Sequence, residues 1–183
     1  MKLSLTSVFF RKRIVPAILF LLLGADGFRA QQLSEYQVKA AYLYNFGKFV
    51  EWPPGALAGT QVSICVLGQD PFGPALDAAL AGERIQGKSV MPRRITKAQE
   101  ATGCEILYIS SSEERRLSDI LHTVDHIAIL TVSDIPRFAL RGGMIQFVLQ
   151  GKRVRFEVNL TSAQDAGLTL SSELLKVAAE VRR

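Results

Sequence analysis

Residues 33–54, LSEYQVKAAYLYNFGKFVEWPP, decide the fold. Ser34 and Gln37, three positions apart, form a capping box, and Leu33 with Val38 can staple the chain across it. Val38, Ala41, Tyr42, Asn45, Phe46 and Phe49 recur at helical spacing, which predicts one apolar stripe, and Leu43 and Tyr44 widen it. Pro53 and Pro54 end the run, because the residue before a proline is pushed out of the α region. A helix this apolar is expected at the centre of the core. Asn45, inside the stripe, is either a buried polar group with backbone partners or part of a binding site.

Upstream, Arg11, Lys12 and Arg13 precede the apolar run Ile14–Leu23, followed by small or mixed residues from Gly24 to Ala30. That is the layout of a secretory signal peptide. The run is ten residues, too short to span about 30 Å of hydrocarbon. Residues 1–30 are therefore expected to be a signal peptide with cleavage in the range 25–31, and 31–183 a single domain. The first 30 residues hold five of the 22 Lys and Arg and one of the 17 acids. The remainder carries 17 basic and 16 acidic residues, net +1, so the basic character of the whole chain is no argument for nucleic-acid binding.

Downstream, strand and helix patterns alternate. Gln61–Leu67 is a β-rich run ended by Gly68, and Pro71–Leu80 has helical character. Lys88–Ile95 is a strand carrying Pro92, which suggests a sheet edge. Glu105–Ile109 is an apolar strand, Glu113–Leu121 a helix begun by serines 110–112, and His126–Leu130 another strand. A short helix is possible over Asp134–Leu140. Met144–Leu149 and Lys152–Val158 flank Gln150-Gly151 as an antiparallel hairpin; Val154, Phe156 and Val158 alternate there with Arg153, Arg155 and Glu157. Asn159 or Thr161 caps a helix ended by Gly167, and Ser171 opens a last helix. The expected class is α/β: a single-domain layered fold with a mixed sheet, a C-terminal β-hairpin and flanking helices.

YQVKAAYLYNFGKFVEWP near the start and GGMIQFVLQGKRVRFEVNLTSAQDAGLTLSSELLKVA near the end resemble the YfiR family of bacterial periplasmic proteins. The likeness runs through the whole chain after the leader, specific at its ends and mostly a matter of pattern between them. It implies a compact α/β fold, a homodimer and a location in the periplasm. It also implies repression of an inner-membrane diguanylate cyclase through its periplasmic domain, which lowers cyclic di-GMP and biofilm formation. In the resembled system an outer-membrane lipoprotein sequesters the repressor.

Other motifs carry less. Gly82–Ser89 matches the phosphate-loop pattern GxxxxGK[ST], but that loop needs a strand before it and a helix after it. Here a helical segment precedes and a strand follows, so the match is a turn. His122 and His126 are the only histidines, four apart, and straddle a helix end and a strand start with no third metal ligand in view. No catalytic constellation and no cofactor motif is found, so an enzyme is not expected.

Cys65 and Cys104 are the only cysteines, and in an exported chain they are expected to pair across neighbouring strands, a spacing that also resembles a pair in the family. Two buried free thiols are the alternative. The residues proposed to meet a partner are Phe49 and Trp52 at the helix end with Arg153 and Arg155 on the hairpin, aromatics and arginines being the types that dominate interface energies. Phe49 and Trp52 could instead be plain core, and the basic residues a solvated face. The function expected is repression of a membrane diguanylate cyclase or sensor kinase by contact. The competing expectation is a periplasmic module whose arginines hold a small anionic ligand.

Overall fold

The computed structural model describes residues 34–183; the predicted signal peptide, its cleavage range and Leu33 of the predicted staple lie outside the described residues. The first helix, α1 (Glu35–Lys48), starts at the expected capping box: Ser34 Oγ accepts from the Gln37 amide and the Gln37 side chain accepts from the Ser34 amide. It ends at Lys48, earlier than the prolines require, because the chain turns extended to form β1 (Val50–Glu51).

The buried face of α1 is rotated from the predicted stripe. Lys39, Ala40, Leu43, Phe46 and Gly47 face the core, whereas Ala41, Asn45 and Phe49 are exposed. The helix is apolar over so wide an arc that spacing alone does not select its inner edge. The helix approaches the sheet closely at Gly47, where a Cβ would stand 2.4 Å from the Ile85 Cδ1 atom, so a larger residue there would require the buried Ile85 side chain to move. Asn45 binds no buried group; its amide donates to the Ala41 carbonyl one turn back.

The chain then runs through β2 (Gln61–Leu67), α2 (Pro74–Leu80), β3 (Arg84–Ile85), β4 (Lys88–Ile95), β5 (Ile106–Ile109), α3 (Leu117–Thr123), β6 (Leu130–Ser133) and β7 (Ile145–Gln150). It closes with β8 (Arg153–Asn159), α4 (Leu160–Asp165), β9 (Thr169–Leu170), α5 (Ser172–Val177) and β10 (Glu180–Arg182). Eight strands form one mixed sheet in the order β10-β8-β7-β6-β5-β2-β4-β3, and β1 pairs with β9 separately. β2, β4, β5, β6 and β7 are parallel to their neighbours in this run, while β7–β8 is the expected antiparallel hairpin. β3 covers only Lys88 and Ser89 of β4, so the stretch with Pro92 has no second neighbour among the described residues, as a proline strand requires. The fold is therefore α/β, layered, with a mixed sheet.

Alternation on the strands builds two cores. Val62, Ile64 and Val66 of β2 join α1, α2, α4 and α5 on one face, and Cys65 and Leu67 join α3 on the other. On the first face Phe46 stacks on Phe147 with ring centroids 5.7 Å apart and meets Phe156 edge-on at 5.0 Å.

Three predicted elements change. The helix expected over Glu113–Leu121 is a 3-10 stretch over Ser111–Arg116 followed by α3 over Leu117–Thr123. The strand expected over His126–Leu130 begins only at Leu130, because His126 sits at φ 57°, in the left-handed region, and turns the chain. The helix expected over Asp134–Leu140 shrinks to one 3-10 turn, Ala139–Arg141, since Arg137 is also left-handed at φ 62°. Just beyond it, a Cβ on Gly143 would lie 2.0 Å from the fully buried Phe138 ring. Gly143→Ala is therefore expected to lower stability by about 1–3 kcal/mol through overpacking, read by thermal unfolding; an unchanged melting temperature would show that the ring can shift freely.

Candidate functional site

Cys65 lies in the middle of β2 and Cys104 just ahead of β5, on strands paired in parallel. The two are joined, with Cα atoms 5.9 Å apart, inside the second core. Next to the bond, the Glu105 carboxylate accepts the Ser63 amide at 2.5 Å, and burial pushes its pKa up against that hydrogen bond.

Two of the four residues expected to meet a partner, Phe49 and Arg155, make hydrogen bonds at the two ends of α5. The Phe49 carbonyl accepts the Ser171 amide, at the start of α5. The Arg155 guanidinium donates to the Val177 carbonyl, at its end. Six residues at about 1.5 Å rise make that separation roughly 9 Å. Arg153 stands two residues further towards the hairpin tip, opposite Gln150. Phe49 is 38% exposed, while Trp52 is half-buried against the first core, its indole N–H buried and without a hydrogen-bond partner among the described residues. Val177, 57% exposed, adds an apolar surface at the Arg155 end.

The GxxxxGKS stretch forms no phosphate cradle. Arg84–Ile85 and Lys88 onward are the two arms of a hairpin turning at Gln86 and Gly87, and no helix follows. His122 and His126 both line a cleft of about 260 Å³ together with Asp125 and Asp165, where His126 Nε2 lies 3.3 Å from Asp125. Among the described residues no group of three or more His, Cys, Asp or Glu is placed to hold a metal ion. Likewise no helix among them is long and apolar enough to cross a membrane.

A polar cluster that sequence reasoning missed sits where α1 crosses the carboxyl ends of β5 and β6. The Lys39 ammonium, 3% exposed, lies 2.7 Å from Asp134 Oδ2 and 2.5 Å from Glu35 Oε1, and 4.5 Å over the Tyr36 ring. The Tyr36 hydroxyl donates to the same Asp134 oxygen at 3.1 Å. Desolvation disfavours the charged lysine, but the hydrogen bonds to Asp134 and Glu35 outweigh it and leave its pKa above the ordinary value. Tyr108, fully buried nearby, has its hydroxyl pKa pushed far up by burial and then by the Asp134 charge. One signal was available: a lysine in register with Ala40, Leu43 and Phe46 on an otherwise apolar helix face.

Among solved structures the fold resembles a conserved domain protein from Vibrio cholerae, at TM-score 0.55 and 13% identity over 82% of this chain. It also resembles an ABC domain in complex with L-Trp from Streptococcus pneumoniae, at TM-score 0.54 and 12% identity over 78% of this chain. This chain spans 61% and 60% of the length of those two proteins, and at such identity the likeness is one of fold. The sequence itself matches the profile of the YfiR/HmsC-like proteins over residues 36–179, from α1 through α5. That span covers both core faces, the cystine and the C-terminal hairpin, and the protein belongs to the YfiR/HmsC-like family.

Proposed function

We propose that the protein is an exported regulator that acts by contact, docking on the periplasmic domain of an inner-membrane signalling protein and holding it inactive. The observation that carries this reading is the family match over residues 36–179, which supports a periplasmic regulatory role in general. The partner we infer is a diguanylate cyclase, with a sensor kinase as the alternative, so that docking lowers cyclic di-GMP and biofilm formation. The regulator works as a homodimer behind a cleaved leader of residues 1–30, and an outer-membrane lipoprotein competes for it.

The docking surface we propose runs along α5, from Phe49 and Trp52 to Arg155 and Arg153, with exposed Val177 at the Arg155 end. Arginine and aromatic anchors in such a patch carry most of an interface's energy. Arg155→Glu is expected to leave the melting temperature within a few degrees, because its guanidinium makes one hydrogen bond to a surface carbonyl. The same variant should release repression and raise cellular cyclic di-GMP. A stable Arg155→Glu protein that represses as well as the parent would remove this surface from the account.

A second reading, a small-molecule sensor, is supported by the fold shared with a domain in complex with L-Trp. Purification from membranes separates the two. Retention by a membrane signalling protein supports contact repression, and a co-purifying metabolite supports the sensor.

A further inference from the structure

The two edges of the eight-stranded sheet differ. At one, the Val90 amide donates to the Glu83 carbonyl, so the alternate positions Pro92 and Arg94 of β4 also face outward. Pro92 has no N–H to offer a further strand, and that edge is closed to one. At the other, β10 has β8 on one side and no neighbour on the other among the described residues. The Phe156 carbonyl of β8 accepts the Ala179 amide, whereas the Asn159 amide is turned to Met144 ahead of β7. Phe156 and Val158 are therefore the β8 residues that face β10, and Val158 stands beside Val181. In a parallel ladder a facing residue bonds to the two residues that flank its register partner, here Glu180 and Arg182. The N–H and C=O of Val181 are left on the outer edge. An edge of this kind is a template for another strand.

The residues around Val181 select that strand. Glu180 and Arg182 project from one face of β10 and Val181 from the other. When a second copy adds antiparallel about a two-fold axis at Val181, Val181 exchanges both backbone bonds with its twin. Glu180 then lies opposite the partner's Arg182, and Arg182 opposite the partner's Glu180. Both charged pairs fall at non-hydrogen-bonded positions, where opposed side chains are closest. The neighbouring registers that keep outward groups paired set Glu180 against Glu180 or Arg182 against Arg182, and like charges directly opposite are destabilising. Within one chain Glu180 stands beside Glu157, and Arg182 serves both carboxylates, 2.8 Å from Glu180 and 3.6 Å from Glu157. The second copy brings another arginine to this acidic row.

We propose that β10 is the interface between two copies of this chain, joined edge to edge and antiparallel about Val181 into one continuous sheet. The same patch serves both copies, as a two-fold interface requires. This interface rests on the homodimer inferred above and gives it a surface and a register.

The test is analytical ultracentrifugation of the purified protein at about 100 µM chain, which suits an interface this small. The parent is expected to dimerise. Glu180→Arg changes a side chain that is 48% exposed and sets like charges opposite each other at both pairs. It should weaken the dimer at least about tenfold at a nearly unchanged melting temperature. Adding Arg182→Glu to it restores unlike pairs with the signs reversed, and should return the dimer to within about threefold of the parent. A Glu180→Arg protein that dimerises like the parent, or a double variant as weak as Glu180→Arg, would overturn this interface and leave the homodimer standing. A parent that is monomeric at that concentration would overturn the interface and the homodimer together, while repression by contact keeps its own test in Arg155→Glu.

Discussion

Replacing both cysteines, Cys65→Ala with Cys104→Ala, is expected to lower the melting temperature by on the order of 12 °C. The bond joins residues 39 apart, and closing a loop of that size removes enough unfolded-state entropy to stabilise the fold by about 4 kcal/mol. For a domain of this size each kcal/mol moves the midpoint by roughly 3 °C. Both sulfurs lie in the second core, at residues 0% and 3% exposed, packed between β2, β5 and α3. Melting under oxidising and reducing conditions gives the same comparison without mutation. Equal midpoints for the parent and the double variant, or two titratable thiols per denatured, unreduced chain, would contradict it.

Lys39→Met should cost about 3–5 kcal/mol, because it leaves Asp134 and Glu35 facing each other with the buried compensating charge gone. Loss of a whole buried partner is what makes the effect large; the ion pair itself need not stabilise relative to an apolar replacement. Lys39→Met combined with Asp134→Leu should accordingly recover most of the loss. The pH dependence has a definite sign. The folded-state pKa of Lys39 lies above its ordinary value of 10.5, so its contribution is fully present below that value and is lost as pH rises through the folded one. Thermal melts across the alkaline range check both points. A Lys39→Met protein as stable as the parent would mean the lysine is not the tether of α1.

Local chemistry was legible where one residue does one job. The capping box at Ser34 and Gln37 and the caps at Asn159 and Ser171 appear as expected, each side chain accepting its helix amide. β2 and β4 have the expected limits, and β7–β8 is the expected hairpin. What escaped depends on partners distant in sequence. The buried face of α1 meets Ile85, 38 residues beyond Gly47 in the chain, and the Lys39 cluster needs Asp134, 95 residues away. β1, β9 and β10 are two or three residues long, too short to show any alternation, and exist only through pairing with each other or with β8. His126 and Arg137 occupy left-handed backbone without being glycine, which no pattern of hydrophobicity reveals. For the site, pairing of the cysteines was readable because the chain has only two. The placement of Phe49 and Arg155 at opposite ends of α5 needed β9 to dock on β1.

Repression by contact is tested most directly by deleting the gene in a strain that expresses the membrane cyclase and measuring cellular cyclic di-GMP. The account predicts that cyclic di-GMP and biofilm rise, and that both return to the starting level when the parent protein is restored but not when Arg155→Glu is. Unchanged cyclic di-GMP in the deletion strain would contradict it.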